Sequence, residues 1–370
     1  MKAICLFTLL GISFISSAQP TLKTKNIIII TTDGFRWQEV FTGADSLLIN
    51  NEKFTADTSF TKQMYWDNSP ETRRKKLMPF FWNVIANKGQ LYGNRFFNNR
   101  MNMKNPYKIS YPGYNEILTG YADLFVSKNR PVENKNRNIL EYLNAQPGYK
   151  GKVAAFTSWD IFPYIFNEDR SKFQVNSGYE MLADDSTIIN HKINRVQESI
   201  KEKTGTRHDL LTYISAKEYL QTHHPKVLFL GFGETDEEAH KGNYAAYLQK
   251  AAMADKMIGD LYAFIQSDPF YKDNTTILIT TDHGRGNTSN TWNAHTTFIN
   301  GSGETWLAMI GPDIIPLGEM KEEQQSYGNQ LAATIALLLG ERFDNSHQAG
   351  KPIQLPADGK DKSVTGNILR

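Results

Sequence analysis

The stretch TTILITTDHG, from Thr275 to Gly284, joins an apolar, β-branched run to a carboxylate and an imidazole. Three other runs have the same pattern, an apolar stretch followed by an acidic residue: NIIIITTDG reaches Asp33, KVAAFTSWD ends at Asp160, and KVLFLGFGETD ends at Asp236. Runs this apolar are typical of strands that are buried on both faces, as in a parallel sheet. Each run is therefore predicted to be a buried strand with an acidic residue at or near its end.

Segments with helical periodicity lie between these runs, and they are RNILEYLNA at 137–145, Tyr244 to Ser267, and Gln330 to Leu339. The alternation predicts an α/β fold with an open, mostly parallel central sheet and helices on both faces. Because ligands bind outside the carboxyl ends of the strands in such sheets, we expect the acidic residues to meet at one edge. A single aspartate at such a place would more often cap the next helix.

The N-terminal residues 1–18 have the pattern of a secretory signal peptide. Lys2 precedes an apolar run, and small residues at 16–18 provide a cleavage site before Gln19. This pattern predicts a periplasmic or secreted mature protein. The apolar run is short for a retained membrane anchor, which needs about 20 residues. The single cysteine, Cys5, lies inside this segment, so the mature chain should have neither a disulfide nor a thiol ligand.

The composition of the 370-residue chain, with 40% hydrophobic and 22% charged residues, is ordinary for a soluble globular protein. A net charge of +2 gives no sign of a nucleic-acid-binding surface. After the signal, no segment is long and apolar enough to span a bilayer, so no membrane partner is expected for the mature form. Residues 19–350 are predicted to form one domain, from which 42–76 make an excursion, and 351–370 a loosely structured tail. The composition leaves the oligomeric state open.

Six side chains that can bind a metal lie in or near the ends of the apolar runs. Three are carboxylates and three are imidazoles: Asp33, Asp236, His240, Asp282, His283 and His295. A mixed oxygen and nitrogen set without thiolate suits zinc, with manganese or iron as alternatives. Six protein ligands are too many for one tetrahedral ion. They suit two Zn²⁺ ions that share an open position for a substrate.

The spacing of these residues supports a shared site. Asp236 and His240 are four residues apart, which places them on one face of a helix. Asp282 and His283 are neighbours, and Gly284 with the glycine at 286 would allow a turn that lets both reach one ion. The stretch KISYPGYNEILTGY offers a hydroxyl at Ser110, at the start of a predicted helix. A serine in that position is either an exposed nucleophile or a simple helix cap.

Together these motifs resemble the alkaline phosphatase superfamily, and within it the type I phosphodiesterase/nucleotide pyrophosphatase branch. The resemblance extends over roughly residues 26 to 296 and is carried by the motifs in their order along the chain. They are Asp33-Gly-Phe-Arg36, Ser110-Tyr-Pro-Gly-Tyr114 leading to Thr119-Gly120, Asp236-x-x-x-His240, Asp282-His283-Gly284 and His295. The resemblance implies an alkaline-phosphatase-like metallohydrolase domain.

The resemblance also implies roles for individual residues. One zinc would be held by Asp236, His240 and His295, and the other by Asp33, Asp282 and His283, with the second ion also touching the nucleophile Ser110. The branch commonly has threonine, followed by Phe-Pro-Asn-His, where this chain has Ser110 and Tyr-Pro-Gly-Tyr. An asparagine about twenty residues beyond the nucleophile contacts the phosphoryl oxygens in this branch. Asn129 and Asn134 are both candidates here, and the sequence does not decide between them.

The activity that these features favour is hydrolysis of a small phosphodiester or nucleotide-type substrate. The stretch from Ala154 to Asn167 contributes aromatic rings, above all Trp159, that could contact a base or an ester substituent. A phosphomonoesterase is the main alternative; it needs an extra cation, which Arg36 or Arg170 could supply by folding into the site. A sulfatase is less favoured because Tyr114 replaces the arginine of the sulfatase signature, and imidazoles do not suit calcium. An inactive binding protein is equally disfavoured because every ligand position is filled.

Overall fold

The computed structural model of this protein describes residues 22–183, 187–345 and 347–356. The predicted signal peptide and most of the predicted tail lie outside these described residues. Residues 351–356 have no regular secondary structure, although Ile353 is buried in the core. Among the helices that are described, none combines the length and the apolar character that crossing a membrane requires.

Two sheets account for the strands in the described part of the chain. The strands are β1 (Asn26–Thr32), β2 (Gly89–Tyr92), β3 (Asn99–Asn102), β4 (Val153–Thr157), β5 (Gln174–Ser177), β6 (Val227–Phe232), β7 (Thr275–Thr280), β8 (Glu304–Thr305), β9 (Leu307–Ile310), β10 (Gly318–Glu319) and β11 (Gln324–Tyr327). Eight of them form the central sheet in the order β10-β2-β9-β7-β1-β6-β4-β5, and β11, β3 and β8 form a small second sheet. The four apolar runs are thus four adjacent strands: β7, β1, β6 and β4.

The register of the central sheet places the ends of three strands side by side. Strand β1 pairs in parallel with β6, where Ile30 lies opposite Leu230, and with β7, where Ile30 lies opposite Ile279. Strand β9 is antiparallel to both β7 and β2, and the other pairings in this sheet are parallel. The prediction of an open, mostly parallel sheet is therefore confirmed, with β9 as the exception.

Helices surround the central sheet. They are α1 (Trp37–Thr42), α2 (Ser46–Ile49), α3 (Thr58–Tyr65), α4 (Pro70–Leu77), α5 (Ala86–Lys88), α6 (Ser110–Thr119), α7 (Ile139–Asn144), α8 (Phe162–Phe166), α9 (Glu168–Ser171), α10 (Ile188–Ser199), α11 (Asp209–His223), α12 (Glu234–His240), α13 (Tyr244–Ser267) and α14 (Leu331–Leu338). A π-helical turn at Phe81–Ile85 and 3₁₀ turns at Arg95–Phe97 and Gly328–Gln330 complete the set. The three helices predicted from periodicity correspond to α7, α13 and α14.

Alternation along β1 shows why the sheet needs helices on both faces. Ile28 and Ile30 belong to one core cluster, which includes Leu220 of α11 and several residues of α13. Ile27 and Ile29 belong to a second cluster, which includes residues of α6, α7 and α14. All four isoleucines are at most 1% exposed. Exposing either face of the strand to water would cost about 1.5–3 kcal/mol of folding free energy for each side chain.

The predicted excursion at 42–76 consists of short helices and irregular segments that add no strand to either sheet. Helices α2, α3 and most of α4 lie in it, and Asp45, Asp57 and Ser69 cap their N-termini through side-chain oxygens. Arg74 ties α4 back to the sheet by an ion pair with Glu319 of β10, with Nη1 3.0 Å from Oε1. This ion pair anchors α4 to the edge strand, while Leu48 and Phe54 of the excursion are buried in the core cluster that includes α13.

Candidate metal centre and nucleophile

The candidate site lies at the carboxyl ends of β1, β6 and β7, the edge that the sequence predicts. Asp33 follows β1 directly, while α12 follows β6 and carries Asp236 and His240. Asp282 and His283 lie just beyond β7, and His295 is on the loop that leads to β8. All six predicted ligands are brought together at this edge. Asp160, the third residue after β4, is exposed and does not join them.

The first group of ligand atoms comes from Asp236, His240 and His295. His240 Nε2 lies 3.1 Å from Asp236 Oδ2, His295 Nε2 lies 3.0 Å from His240 Nε2, and 3.6 Å separates His295 Nε2 from Asp236 Oδ1. Two ligand atoms held at about 2.0–2.1 Å by one tetrahedral ion lie roughly 3.3 Å apart. The observed spacings are close to this value, so the three side chains form a candidate site for one metal ion.

The second group centres on His283, which is fully buried. Its Nε2 lies 3.4 Å from Asp33 Oδ1, 3.4 Å from Asp282 Oδ2 and 3.9 Å from Asp236 Oδ1. Ligand atoms of Asp33, Asp236 and His283 all lie within 4.8 Å of one another. The geometry thus gives Asp236 contacts in both groups, whereas the family resemblance assigns it to one ion only. Asp282 lies beside the second group, and its Oδ1 accepts a hydrogen bond from Gly34 N at 3.0 Å.

Two of the imidazoles are oriented by backbone carbonyls. His283 Nδ1 lies 2.9 Å from the carbonyl oxygen of Gly284, and His295 Nδ1 lies 3.0 Å from that of Lys108. Because a carbonyl oxygen only accepts, both Nδ1 atoms must donate. In the neutral imidazoles the lone pair is then on Nε2, the atom that faces the other ligands. This arrangement is the usual one for histidines that bind a metal.

Electrostatics in the cluster also favour a cation. Burial, and then the charge of Asp33, raise the pKa of Asp282 well above its usual range. Burial would lower the pKa of His283, but Asp282 and Asp33 raise it to about 9. Asp282 Oδ2 is buried and has no hydrogen-bond partner among the described residues. Closely spaced carboxylates with an unpaired buried oxygen are costly without a cation, so the donor set fits divalent metal ions.

Ser110 is the first residue of α6, and its hydroxyl faces the second group. Ser110 Oγ lies 3.3 Å from His283 Nε2 and 3.5 Å from Asp33 Oδ1, and the residue is 4% exposed. Tyr114, one turn further along α6, donates its hydroxyl to Asp33 Oδ2 at 3.1 Å. The hydroxyl group is thus held next to the candidate metal ligands, at the positive end of a helix dipole.

A cavity of about 120 Å³ opens beside Ser110. It is lined by Asp33, Ser110, Asn129, Trp159, Thr206, Gly233, Asp236 and Glu237. Asn129 Oδ1 accepts a hydrogen bond from Tyr111 N at 2.9 Å, and its Nδ2 has no partner among the described residues. Two of the three predicted substrate contacts, Asn129 and Trp159, therefore line this cavity.

Asn134, the third predicted contact, does not line the cavity. It is 2% exposed, its Nδ2 donates to Asn115 Oδ1 at 3.0 Å, and its Oδ1 accepts from Asn136 N at 3.0 Å. Both ends of the amide are thus used in a buried network behind α6. The backbone between residues 129 and 134 turns inward, which the spacing along the sequence does not reveal.

Arg285 is the main site residue that the sequence motifs do not predict. It is buried, its guanidinium forms an ion pair with the carboxylate of Asp236, and its Nε donates to the Gly34 carbonyl oxygen at 3.0 Å. Burial lowers its pKa to about 9. The position of Arg285 directly after the Asp-His-Gly motif is the signal that could have found it.

Two glycines of the motifs are required for different reasons. Gly34 has φ +56°, a conformation that favours glycine, and a Cβ there would meet Asp236 Oδ1 at 2.7 Å. The sequence predicts that Gly284 allows a turn at this point, and the φ of Gly284 is not positive. A Cβ on Gly284 would instead lie 2.3 Å from the carbonyl oxygen of Glu304. Close backbone approach, and not turn freedom, excludes a side chain at Gly284.

Solved structures with a similar fold include enzymes of different activities. The chain aligns with wild-type alkaline phosphatase PafA at 10% identity and a TM-score of 0.56, over 91% of this chain and 99% of that one. It aligns with a 2-O GAG sulfatase at 13% identity and a TM-score of 0.55, over 89% and 73%. The lipoteichoic acid synthase LtaP from Listeria monocytogenes aligns at 13% identity and a TM-score of 0.52, over 86% and 72%. At such identities the similarity shows the alkaline-phosphatase-like fold alone.

Sequence comparison is more specific about the family. No curated protein matches the chain. The sequence model of the family described as type I phosphodiesterase / nucleotide pyrophosphatase matches residues 49–349. This range contains Ser110 and five of the six predicted metal ligands, with Asp33 just before it. The chain belongs to the type I phosphodiesterase / nucleotide pyrophosphatase family, as the order of its motifs predicts, and is a hydrolase of phosphoric esters.

Proposed function

We propose that this protein is a two-zinc phosphodiesterase in which Ser110 is the nucleophile. The observation that carries the proposal is the position of Ser110 Oγ, within 3.5 Å of Asp33 and His283, beside six converging ligand side chains. A helix cap does not require such a setting. The family also includes nucleotide pyrophosphatases, and their substrates contain the same esterified phosphate.

Asp236, His240 and His295 would hold one ion, and Asp33, Asp282 and His283 the other, with Asp236 close enough to touch both. When bound, the two ions would lower the pKa of the Ser110 hydroxyl and stabilise negative charge on the phosphoryl oxygens. Manganese or iron would satisfy the same donor set.

The residues of the chain then act in two displacement steps. Ser110 Oγ attacks phosphorus and gives up its proton to solvent, the Oγ–P bond forms, and the bond from phosphorus to the leaving alcohol breaks. The leaving alcohol takes up a proton from solvent. A water molecule then attacks the phosphorus of this seryl phosphodiester and loses a proton, the Oγ–P bond breaks, Ser110 Oγ takes up a proton, and the phosphomonoester product is released. Tyr114 keeps Asp33 in place, and the carbonyl oxygens of Lys108 and Gly284 fix the imidazole rings.

Asn129 is our candidate for contacting the non-bridging phosphoryl oxygens, because its Nδ2 is free and it lines the cavity. Asn129→Ala should lower kcat/KM by about 100-fold, as expected for loss of one donor to a developing charge. Its melting temperature should stay close to that of the wild type. Asn134→Ala should instead keep kcat/KM close to that of the wild type and lower the free energy of unfolding by about 1–3 kcal/mol, because its buried hydrogen-bond partners lose their partner. If kcat/KM falls further in Asn134→Ala than in Asn129→Ala, Asn134 and not Asn129 contacts the phosphoryl oxygens.

A preference for diesters over monoesters is expected from the charges around the cavity. A monoester dianion carries an additional negative charge that a specialised site stabilises with a cation. No lysine or arginine is among the described residues that line this cavity. Arg36 is paired with Glu39 and Arg170 with Glu141, and Arg285 is paired with Asp236, so none of them is available to a substrate.

The test is a panel of nitrophenyl esters on the zinc-loaded protein: a phosphodiester, the matched phosphomonoester and a sulfate ester. We expect the highest kcat/KM for the diester. A monoester advantage of about tenfold, roughly 1.4 kcal/mol in transition-state stabilisation, would make the protein a phosphomonoesterase. Turnover of the sulfate ester alone would make it a sulfatase.

The N-terminal pattern supports action outside the cytoplasm, in a periplasm or the medium, because residues 1–18 have the composition of a cleavable signal. The N-terminus of the native protein should then be Gln19. Recovery of a chain that still begins at Met1 from the cytosolic fraction would contradict this.

A further inference from the structure

We infer that Glu116 is a positioning residue for the candidate metal centre: its buried carboxylate fixes residues 104–108, and this segment orients His295. The inference rests on the two metal sites of the proposed function and names the residue that stands behind one of their ligands. Among the described residues, Glu116 forms no hydrogen bond with a predicted metal ligand, and it does not line the cavity beside Ser110.

Glu116 lies on α6, six residues after Ser110 and therefore about 240° round the helix from it. The residue is fully buried. Its Oε1 accepts hydrogen bonds from Lys104 N at 2.8 Å and from Asn329 N at 3.1 Å. Its Oε2 accepts hydrogen bonds from Asn105 N at 2.7 Å and from Asn105 Nδ2 at 2.9 Å. Because Glu116 forms no ion pair with a described residue, these neutral N–H groups stabilise the buried charge.

Asn105 connects the carboxylate of Glu116 to the end of the segment. Its Oδ1 accepts a hydrogen bond from Lys108 N at 2.9 Å, which closes a turn over residues 105–108. Lys108 has φ +54°, a left-handed conformation that a lysine rarely adopts. Such a conformation persists only where the surrounding contacts impose it. The hydrogen bonds from Glu116 through Asn105 are the contacts that hold Lys108 in this conformation.

The conformation of Lys108 decides where its carbonyl oxygen points. That oxygen accepts the hydrogen bond from His295 Nδ1 at 3.0 Å, so the lone pair of the neutral imidazole is on Nε2, 3.0 Å from His240 Nε2. Loss of a partner that orients a metal-binding histidine costs about 10–100-fold in metal affinity. If Lys108 left its left-handed conformation, the imidazole of His295 would lose both its orientation and the tautomer that binds a metal ion.

A carboxylate is required at position 116 because N–H donors face both of its oxygens. Glutamine has nearly the same shape, but its NH₂ group would face two N–H donors and could accept from neither of them. Glu116→Gln therefore removes half of the hydrogen bonds to the carboxylate without opening a large cavity.

The test measures the two zinc dissociation constants by competition with a chelator of known affinity. In Glu116→Gln we expect the dissociation constant of the zinc at Asp236, His240 and His295 to rise by about tenfold or more. The other dissociation constant should keep its wild-type value. That unchanged value should match the single zinc ion that His240→Ala retains, and this match identifies the affected site.

Asp255→Asn is the matched control for Glu116→Gln. Asp255 on α13 is also a buried carboxylate, and it accepts hydrogen bonds from Phe80 N and Phe81 N at 2.8 Å each. Among the described residues, it has no hydrogen bond to residues 104–108 or to a predicted metal ligand. We expect Asp255→Asn to lower the melting temperature as Glu116→Gln does, and to leave both zinc dissociation constants unchanged.

Two results would overturn the inference. If Glu116→Gln lowers the melting temperature but keeps both wild-type zinc dissociation constants, Glu116 has a structural role only. If Asp255→Asn raises the same zinc dissociation constant as much as Glu116→Gln does, general destabilisation explains the effect.

Asn105→Ala is a second variant that decides the question if Glu116→Gln does not fold. It leaves the hydrogen bonds from Lys104 N and Asn105 N to the carboxylate in place and removes only the side chain that holds Lys108 N. The same zinc dissociation constant should rise in Asn105→Ala. Wild-type zinc binding in this variant would contradict the inference.

Zinc binding is measured without a substrate, so this test is separate from that of the proposed function. A protein that shows the expected change in zinc affinity but hydrolyses no phosphodiester would refute the proposed activity and support the role of Glu116. A phosphodiesterase with wild-type zinc affinities in both Glu116→Gln and Asn105→Ala would refute the role of Glu116 and leave the activity standing.

Discussion

Ser110→Ala should lower kcat on any phosphodiester substrate by about 10⁴-fold or more, since removal of a serine nucleophile costs up to about 10⁶-fold in kcat. The physical reason is that Ser110 Oγ lies next to both Asp33 and His283, and alanine leaves no hydroxyl at that position. Zinc content should remain close to that of the wild type, because the predicted ligands stay in place. Steady-state kinetics and metal analysis on the same preparation provide the measurement.

Thr119→Ala is the control for Ser110→Ala. Thr119 is the nearest hydroxyl later in the same motif, but it is buried in the last turn of α6, where its Oγ1 donates to the Asn115 carbonyl oxygen at 2.7 Å. Its loss should leave kcat within a few-fold of the wild type. Activity that survives in Ser110→Ala and disappears in Thr119→Ala would overturn the assignment of the nucleophile.

His240→Ala should lower the zinc content from two ions to one and reduce kcat by more than about 100-fold. Changing residues that only support metal ligands costs 10–100-fold, and a ligand itself should cost more. The side chain of His240 is 52% exposed, so its removal should shift the melting temperature little. Asp236→Asn is a less clean variant because it would leave buried Arg285 without its carboxylate partner.

His223→Ala is the matched control for His240→Ala. His223 is an exposed histidine at the end of α11, stacked on Tyr219 with the ring centroids 4.2 Å apart. We expect two zinc ions and unchanged turnover in this variant. If His240→Ala also keeps both ions and its activity, His240 is not a ligand.

The sequence predicts the central part of the fold well because burial on both faces leaves a strong local signal. The isoleucines of β1 must fill two separate cores, and only a strand between two helical layers does that. The antiparallel direction of β9 had no such signal, since LAMI is as apolar as a parallel strand would be. Its direction depends on the path of the long connection between β7 and β9, residues 281–306, which only the folded chain shows.

The candidate site was predictable to the extent that its motifs are local. Asp236 and His240 are held together by one helical turn, and Asp282 and His283 by adjacency. The contacts that depend on how distant loops meet were not predictable: Asp236 reaching both groups, Arg285 behind it, and Glu237 bonded to Thr206. The same limit explains why Asn129 and Asn134 could not be separated until the path of the loop after α6 was known.

The zinc content of the purified wild-type protein tests the central claim, a two-metal hydrolytic centre beside Ser110, most directly. After zinc loading and removal of free metal, elemental analysis should find two zinc ions per chain. They should be lost with a chelator together with phosphodiesterase activity, and both should return on adding zinc. A stoichiometry near one, or calcium as the sole bound ion, would contradict the two-metal account.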